Sequence, residues 1–404
     1  MKLVVALEHR FHGTPDRAVW TETGFAYEFW CRYLAVFDQV AVVARVREVV
    51  MPDPDYRRAD GAGVSFVPVP YYLGVQQYVM RLPQIRRSVK NAVGPTDAVI
   101  LRVGSPVAHM IEKQLRRTDH PFALEVVGDP YDVFAPGSFK HPLRPFFRWW
   151  FANQLRQECA RAFAVAYVTK YALQRRYPPA MDAFSTYYSD VELPDEAFVA
   201  HPRSAVHAPI RLIFVGTLAQ LYKAPDVLIH AVSLCVNQGL NLRLVMIGGG
   251  EYRPELEAQA TARGLKDQVC FLGQLPAGEA VRDQLDRADL LVLPSYQEGL
   301  PRAMIEAMAR ALPCIGSTVG GIPELLPEED MVPPSDATAL ADKIREVVND
   351  PARMARMSAR NLVGAHEYRN SILKERRDAF YEYVKEFTSK RQEAGSTQVR
   401  TRKV

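Results

Sequence analysis

The 404-residue chain is long enough for two or three domains at the usual ~100–200 residues each. Its 48% hydrophobic and 24% charged residues exclude a disordered, collagen-like or disulfide-scaffold protein. The net charge of +4 is spread as +4 over residues 1–205, −4 over 206–389 and +4 over 390–404, which suggests different partners for the two halves but is too small to point to nucleic acid.

The chain opens on an apolar run, Leu3–Leu7, halted by Glu8, His9 and Arg10. It is shorter than a signal-peptide core and lacks a cleavage site, so it reads as a first strand. Nothing later approaches the ~18–20 apolar residues of a membrane-spanning helix. Further strands are predicted at Gln39–Ala44, Val64–Val69, Ala98–Val103, Phe122–Val127 and Phe163–Thr169. After a break they resume at Ile210–Val215, Leu242–Ile247, Val269–Leu272 and Leu290–Leu293.

Near-continuous apolar strands separated by helical patterns indicate parallel sheets covered on both faces. The segment Thr186–Pro209 holds Pro194, Pro202 and Pro209 and reads as a linker. The predicted architecture is therefore α/β, two doubly wound parallel-sheet domains (residues 1–200 and 201–370) facing across a cleft. A charged amphipathic helix over 371–389 is expected to pack back towards the first domain, with a disordered basic tail from 390. Five scattered cysteines (Cys31, Cys159, Cys235, Cys270, Cys314) form no CxxC pair. They fit a reducing, cytoplasmic setting and offer no metal-ligand spacing.

The second half carries the chemistry. A strand ends at Pro294, a loop holds Glu298-Gly299, and Pro301 stands where a helix begins and runs on to about Ala311. The helix amides would face the cleft as an anion site. Glu298 can accept from sugar hydroxyls and Glu306 from a ribose diol, while Gly299 lets backbone approach a ligand. The bland alternative is two solvated glutamates beside a helix start. Upstream, Phe214-Val215-Gly216-Thr217 precedes Lys223, a cation able to neutralise a diphosphate or an ordinary surface lysine. Gly248-Gly249-Gly250 suits a tight strand-to-helix turn but is no full GxGxxG fingerprint. Val269–Gly273 and the loop Gly320–Glu324 complete the set.

Together these motifs, from Phe214 to about Asp350, resemble the family-4 retaining glycosyltransferases of the GT-B fold. The resemblance implies that Glu298 contacts the donor sugar, Glu306 the ribose and Lys223 the diphosphate. It implies donor contacts at Gly216, Thr217, Gly248 and Gly249, backbone contacts at Gly299, Leu300 and Pro301, and Leu272 beside the nucleobase. The family usually has an arginine where Thr217 stands, which would leave one cation at the phosphates.

The first domain should then bind the acceptor. Gly13 is matched to a glycine loop beside the donor phosphate, and His9 and His12 are acid/base or acceptor candidates. Gly128 stands where the family has a histidine touching the sugar, so Asp129 becomes a candidate for acceptor or sugar recognition or catalysis, or else a helix N-cap. Arg102 is expected to point into the cleft or to pair with a neighbour. Asp53-Pro54-Asp55 looks like a DxD metal clamp without the rest of that fold, and the metal reading is rejected.

Gly61–Thr96 and Phe139–Arg156 are basic and free of acid, and the second is rich in Trp and Phe. That pattern suits peripheral contact with an anionic membrane, or rings packed inwards beneath solvated arginines. The resulting expectation is a retaining hexosyltransferase using a nucleotide diphosphate sugar, UDP favoured, with no metal or other cofactor. Its acceptor would be a hydroxyl of a glycan, lipid-linked or small-molecule acceptor. A GT-B epimerase or phosphorylase, or a degenerate sugar-nucleotide binding module, are the rivals.

Overall fold

The structure, a computed structural model, describes residues 1–134, 142–203 and 208–401, with the side chains of 75 and 395–401 left out of that description. Phe139 and Lys140 of the basic aromatic stretch therefore lie outside the described residues.

The first sheet has nine strands: β1 (Lys2–Gly13), β2 (Val19–Thr21), β3 (Gln39–Glu48), β4 (Arg57–Arg58), β5 (Val64–Pro70), β6 (Ala98–Val103), β7 (Ala123–Val126), β8 (Ala164–Tyr167) and β9 (Phe184–Tyr187). The parallel strands run in the order β5-β3-β1-β6-β7-β8-β9, and β2 and β4 add antiparallel pairs at one end. Alternation along β1 sends Leu3, Val5 and Leu7 to one apolar layer and Val4 and Ala6 to the other. Helices α1 (Tyr27–Leu34) and α14 (Asn370–Thr401) cover the first layer. Helices α2 (Gly74–Val89), α3 (Pro106–Thr118), α5 (Arg144–Cys159) and α6 (Ala172–Arg176) cover the second, and the short α4 (Pro130–Val133) packs on α5.

The second sheet is wholly parallel. Its strands are β10 (Ile210–Val215), β11 (Leu242–Ile247), β12 (Val269–Gly273), β13 (Leu290–Leu293), β14 (Cys314–Ser317) and β15 (Met331–Val332), in the order β12-β11-β10-β13-β14-β15. Around it lie α7 (Pro225–Asn237), α8 (Arg253–Ala262), α9 (Glu279–Arg287), α10 (Arg302–Ala309), α11 (Ile322–Leu325), α12 (Ala337–Val348) and α13 (Pro351–Ala365). With two parallel sheets wrapped by helices, the architecture is the GT-B arrangement.

Three expectations are corrected. The first strand does not stop at Leu7. After a bulge between Ala6 and Arg10 it continues to Gly13, because β3 runs on to Glu48 and supplies partners for Arg10 through Gly13. The tail from Lys390 is helical to Thr401. Lys390 pairs with Glu386, Arg391 with Asp119, and Gln392 donates to the Thr96 carbonyl at 2.8 Å. Arg102, finally, does not reach into a cleft.

Arg102 lies under the sheet and is almost fully buried, pairing with Glu125 and, at 2.6 Å, with Asp190. Arg32 also pairs with Asp190 at 2.8 Å. Tyr33, Tyr188 and Tyr381 all donate to the Glu125 carboxylate at 2.8–3.0 Å. Burial disfavours the Asp190 charge, but Arg102 and Arg32 more than offset it and hold its pKa down to about 2. The network ties β6, β7, α1, the chain after β9 and α14 into one unit. Removing the guanidinium leaves two carboxylates short of a partner. Arg102→Leu is therefore expected to destabilise the fold by about 3–5 kcal/mol, read as a lowered denaturant midpoint.

Candidate active site

The strand order of the second sheet reverses between β10 and β13, and in open α/β sheets ligands bind outside the strand ends at that switch point. The loop after β10 carries Gly216–Lys223, and the loop after β13 carries Pro294–Pro301. The two meet there. Lys223 Nζ donates to Glu298 Oε1 at 2.7 Å, and both side chains are largely buried. Ser295 Oγ donates to the same oxygen at 2.8 Å. Burial works against the Lys223 ammonium, but Glu298, with Tyr222, outweighs it and raises its pKa above the ordinary value.

Glycines shape both loops. A Cβ at Gly216 would stand 2.3 Å from Lys223 Cδ, so the bare backbone makes room for the lysine stem. A Cβ at Gly248 would sit 1.8 Å from the Gly216 carbonyl oxygen, at φ +141°. Gly248 is thus buried against the loop after β10. Gly249 is half-buried, and its carbonyl accepts from Leu218 N at 2.8 Å. The Thr217 hydroxyl is used locally, accepting from Ala219 N at 3.1 Å.

Helix α10 starts one residue later than predicted, with Pro301 as its N-cap, and ends at Ala309. Leu300 is buried in the core. Glu306 is half-buried, and among the described residues its carboxylate has no hydrogen-bond partner. Burial raises its pKa, with Arg302 and Arg282 opposing. Leu272 is the extra residue of a bulge: Met246 pairs with Phe271 and Ile247 with Gly273, so its backbone falls outside the ladder on an edge strand.

Arg302 was not singled out from the sequence. It is exposed, makes no hydrogen bond or ion pair among the described residues, and lies close enough to Lys223, Glu306 and Asp190 to bias their ionisation. A signal was present, since a cation in a helix's first turn opposes the dipole unless an anion is expected there.

The first domain meets this loop at the ends of β7 and β8. A Cβ at Gly299 would lie 2.9 Å from the Val127 carbonyl oxygen and 3.7 Å from Gly128 Cα. A Cβ at Gly128 would meet nothing within 4 Å. The Glu324 carboxylate accepts from Lys170 N at 2.6 Å and Tyr171 N at 2.8 Å.

The other first-domain candidates serve locally. Asp129 caps α4 by accepting from Tyr131 N at 2.9 Å, and it is held by Arg176 and Tyr177. Gly13 pairs with Glu48 and Val19 and packs on Val46. The His12 ring lies 4.7 Å from that of Tyr56. His9 sits between Thr21 and Thr23, and burial, with nearby arginines, lowers its pKa to about 4. Neither histidine bonds the second domain among the described residues. Asp53 accepts from Asp55 N at 3.1 Å in a turn. The grouping His109, Glu112 and Glu158 has metal-ligand proximity, but it lies between α3 and α5 and is bridged internally through His109 and Arg161.

The fold has close counterparts. Sucrose-phosphate synthase from Thermosynechococcus elongatus superposes with a TM-score of 0.67 at 18% identity, over 95% of this chain and 99% of that one. Anabaena HepE, solved with UDP-glucose, gives 0.61 at 15% identity over 96% and 100%. These likenesses show that the chain has the GT-B fold. Residues 201–362 match the family described as Glycosyl transferases group 1. Protein CapJ of Staphylococcus aureus is 25% identical over 80% of this chain and 81% of its own. The amylovoran biosynthesis glycosyltransferase AmsK of Erwinia amylovora is 35% identical over 36% and 38%.

The two adjacent glycines separate packing from ligand contact. Gly248→Ala places a Cβ inside a backbone carbonyl and should cost at least about 1–3 kcal/mol. Gly249→Ala, whose Cβ would meet Gln274 Cβ at 3.6 Å, should stay within about 0.5 kcal/mol of wild type. Denaturant unfolding of both variants measures the difference.

Proposed function

We propose that the chain moves a hexose from a UDP-sugar to a hydroxyl of a glycan or lipid-linked acceptor, with retention of configuration and without a metal. The observation that carries this reading is the Lys223–Glu298 pair at the β10/β13 switch point, beside the N-terminus of α10. The UDP-glucose held by HepE supports the donor, and the polysaccharide role named for AmsK supports the acceptor.

In the proposed reaction the bond from the anomeric carbon to the diphosphate oxygen breaks, and one to the acceptor oxygen forms on the same face. The departing phosphate oxygen takes the acceptor's proton, so no protein base is needed. Lys223 and the α10 amides stabilise charge on the leaving group. Glu298 orients the sugar, Glu306 accepts from the ribose diol, and the Leu272 backbone meets the base. Domain closure excludes water.

Incubation with UDP-glucose, UDP-galactose, UDP-GlcNAc and GDP-mannose tests the donor. We expect slow UDP release from one UDP-sugar, unchanged by EDTA and lost in Glu298→Ala. Release from GDP-mannose alone would overturn the UDP assignment, and loss with EDTA would overturn the metal-free mechanism.

Lys223 is already paired and Thr217 is neutral, so Arg302 is the proposed second cation for the diphosphate. Arg302→Gln should weaken UDP about ten-fold, the scale of one charge-assisted bond. UMP affinity should change far less. Titration calorimetry with both nucleotides checks this, and equal losses for the two would remove Arg302 from the terminal phosphate.

A further inference from the structure

The helices over one face of the first sheet leave large apolar side chains in water. On α5, Phe146, Trp149 and Trp150 are 50%, 61% and 47% exposed. Their spacing of three and four residues puts them on one stripe, opposite the buried Ala152, Leu155 and Cys159. Phe146 meets both tryptophans, ring centroids 6.2 and 5.7 Å apart, so the rings form a preassembled patch. On the same side of the sheet, α2 exposes Val79 and Met80 at 59% and 73%. Apolar surface of this extent, collected on one side, marks an interaction site rather than a folding need.

The solvent-facing charges of α2 and α5 have one sign. Residues 61–96 hold Arg81, Arg86, Arg87 and Lys90 with no acid, and residues 142–157 hold Arg144, Arg148 and Arg156 with no acid. The α2 cations are exposed. Arg148 lies over the Tyr131 ring and donates to its carbonyl at 2.9 Å, which leaves the guanidinium charge in place. Tyr131 follows Val127–Asp129, the segment that faces Gly299.

We propose that this face of the first domain docks on an anionic lipid bilayer, with the α5 rings at the headgroup boundary and the α2 arginines among the headgroups. Amphipathic tryptophans favour that boundary, and unmatched cations favour anionic lipid. A protein partner would be met by a core depleted of charge, whereas here arginines lie on α5 beside the rings and on α2 beside Val79 and Met80. The proposal is independent of the donor chemistry.

The test uses the full chain with vesicles of phosphatidylcholine, alone or with about a third phosphatidylglycerol. Sedimentation should show binding to the anionic vesicles at least about ten-fold tighter than to the neutral ones, weakened by salt. Phe146→Ser/Trp149→Ser/Trp150→Ser should lower binding at least about ten-fold, and Arg81→Gln/Arg86→Gln/Arg87→Gln should erode the anionic preference. Unchanged unfolding midpoints identify both variants as folded. Should the aromatic variant misfold, quenching of wild-type tryptophan fluorescence by brominated lipid decides: of the four tryptophans Trp30 is buried and Trp20 is half-buried with its indole bonded to Thr14, so strong quenching needs the exposed Trp149 and Trp150. Wild type left in the supernatant, an aromatic variant that binds equally, or a wild-type dimer made monomeric by that variant would each overturn the proposal.

Discussion

The buried ion pair between Lys223 and Glu298 is the contact on which the site depends. It joins residues 75 positions apart by drawing the loops after β10 and β13 together over the switch point. A buried pair is weak evidence for stability, because desolvation consumes much of the attraction. What the chain invests is backbone. Gly216 clears the lysine stem, Gly248 and Gly250 let the next turn lie on that loop, and Gly320 packs on the Glu298 backbone, where a Cβ would stand 2.0 Å from its carbonyl oxygen. Four residues without side chains hold two charges in place.

The same loop forms the domain interface. Gly299 abuts Val127 and Gly128, and two residues beyond helix start α11 the Glu324 carboxylate is gripped by amides of residues 170–172. On the far side the chain crosses between domains twice, once after β9 and once into α14. The crossings are bonded to each other: Asn370 N donates to the Leu193 carbonyl at 3.0 Å, and Leu193 N to Asn370 Oδ1 at 2.7 Å. A two-stranded joint opposite a polar, glycine-lined contact is the arrangement expected of domains that close over a ligand and open again. The Tyr381–Glu125 bond fixes α14 to the first domain.

Much of this was legible where burial is symmetrical. Ala98–Val103, Ile210–Val215, Leu242–Ile247 and Leu290–Leu293 are near-continuous apolar runs broken only by Arg102, Arg211 and Arg243, and these strands match the sequence reading residue for residue. Cys314–Ser317 and Met331–Val332 are too short to carry a period, and the polar half of β1 is a strand only because β3 lies beside it. Arg102 follows an apolar run and so resembles a strand-end residue facing a cleft. Its partners are 23 and 88 positions away, a relation that no local pattern encodes. Asp129 was readable as an N-cap from Asp129-Pro130 alone, and the geometry takes that side. At the active site, Lys223 and Glu298 were legible through their motifs, whereas their direct bond needed the fold.

The charge balance at the switch point follows from that bond. Lys223 and Glu298 cancel, Thr217 adds nothing, and the remaining positive potential comes from the α10 amides and Arg302. In the proposed reaction a diphosphate competes with Glu298 for the lysine. If Lys223 turns to the phosphate, the carboxylate keeps the Ser295 hydroxyl but loses its cation, and a sugar hydroxyl would donate in the ammonium's place. The pair would then store both halves of the recognition in one contact, the cation for the leaving group and the carboxylate for the sugar. In that reading each charge is screened by the other until a donor binds. This explains why the glycines around the pair matter more than its own stabilising energy: they fix where the two charges separate, and electrostatic preorganisation acts through position.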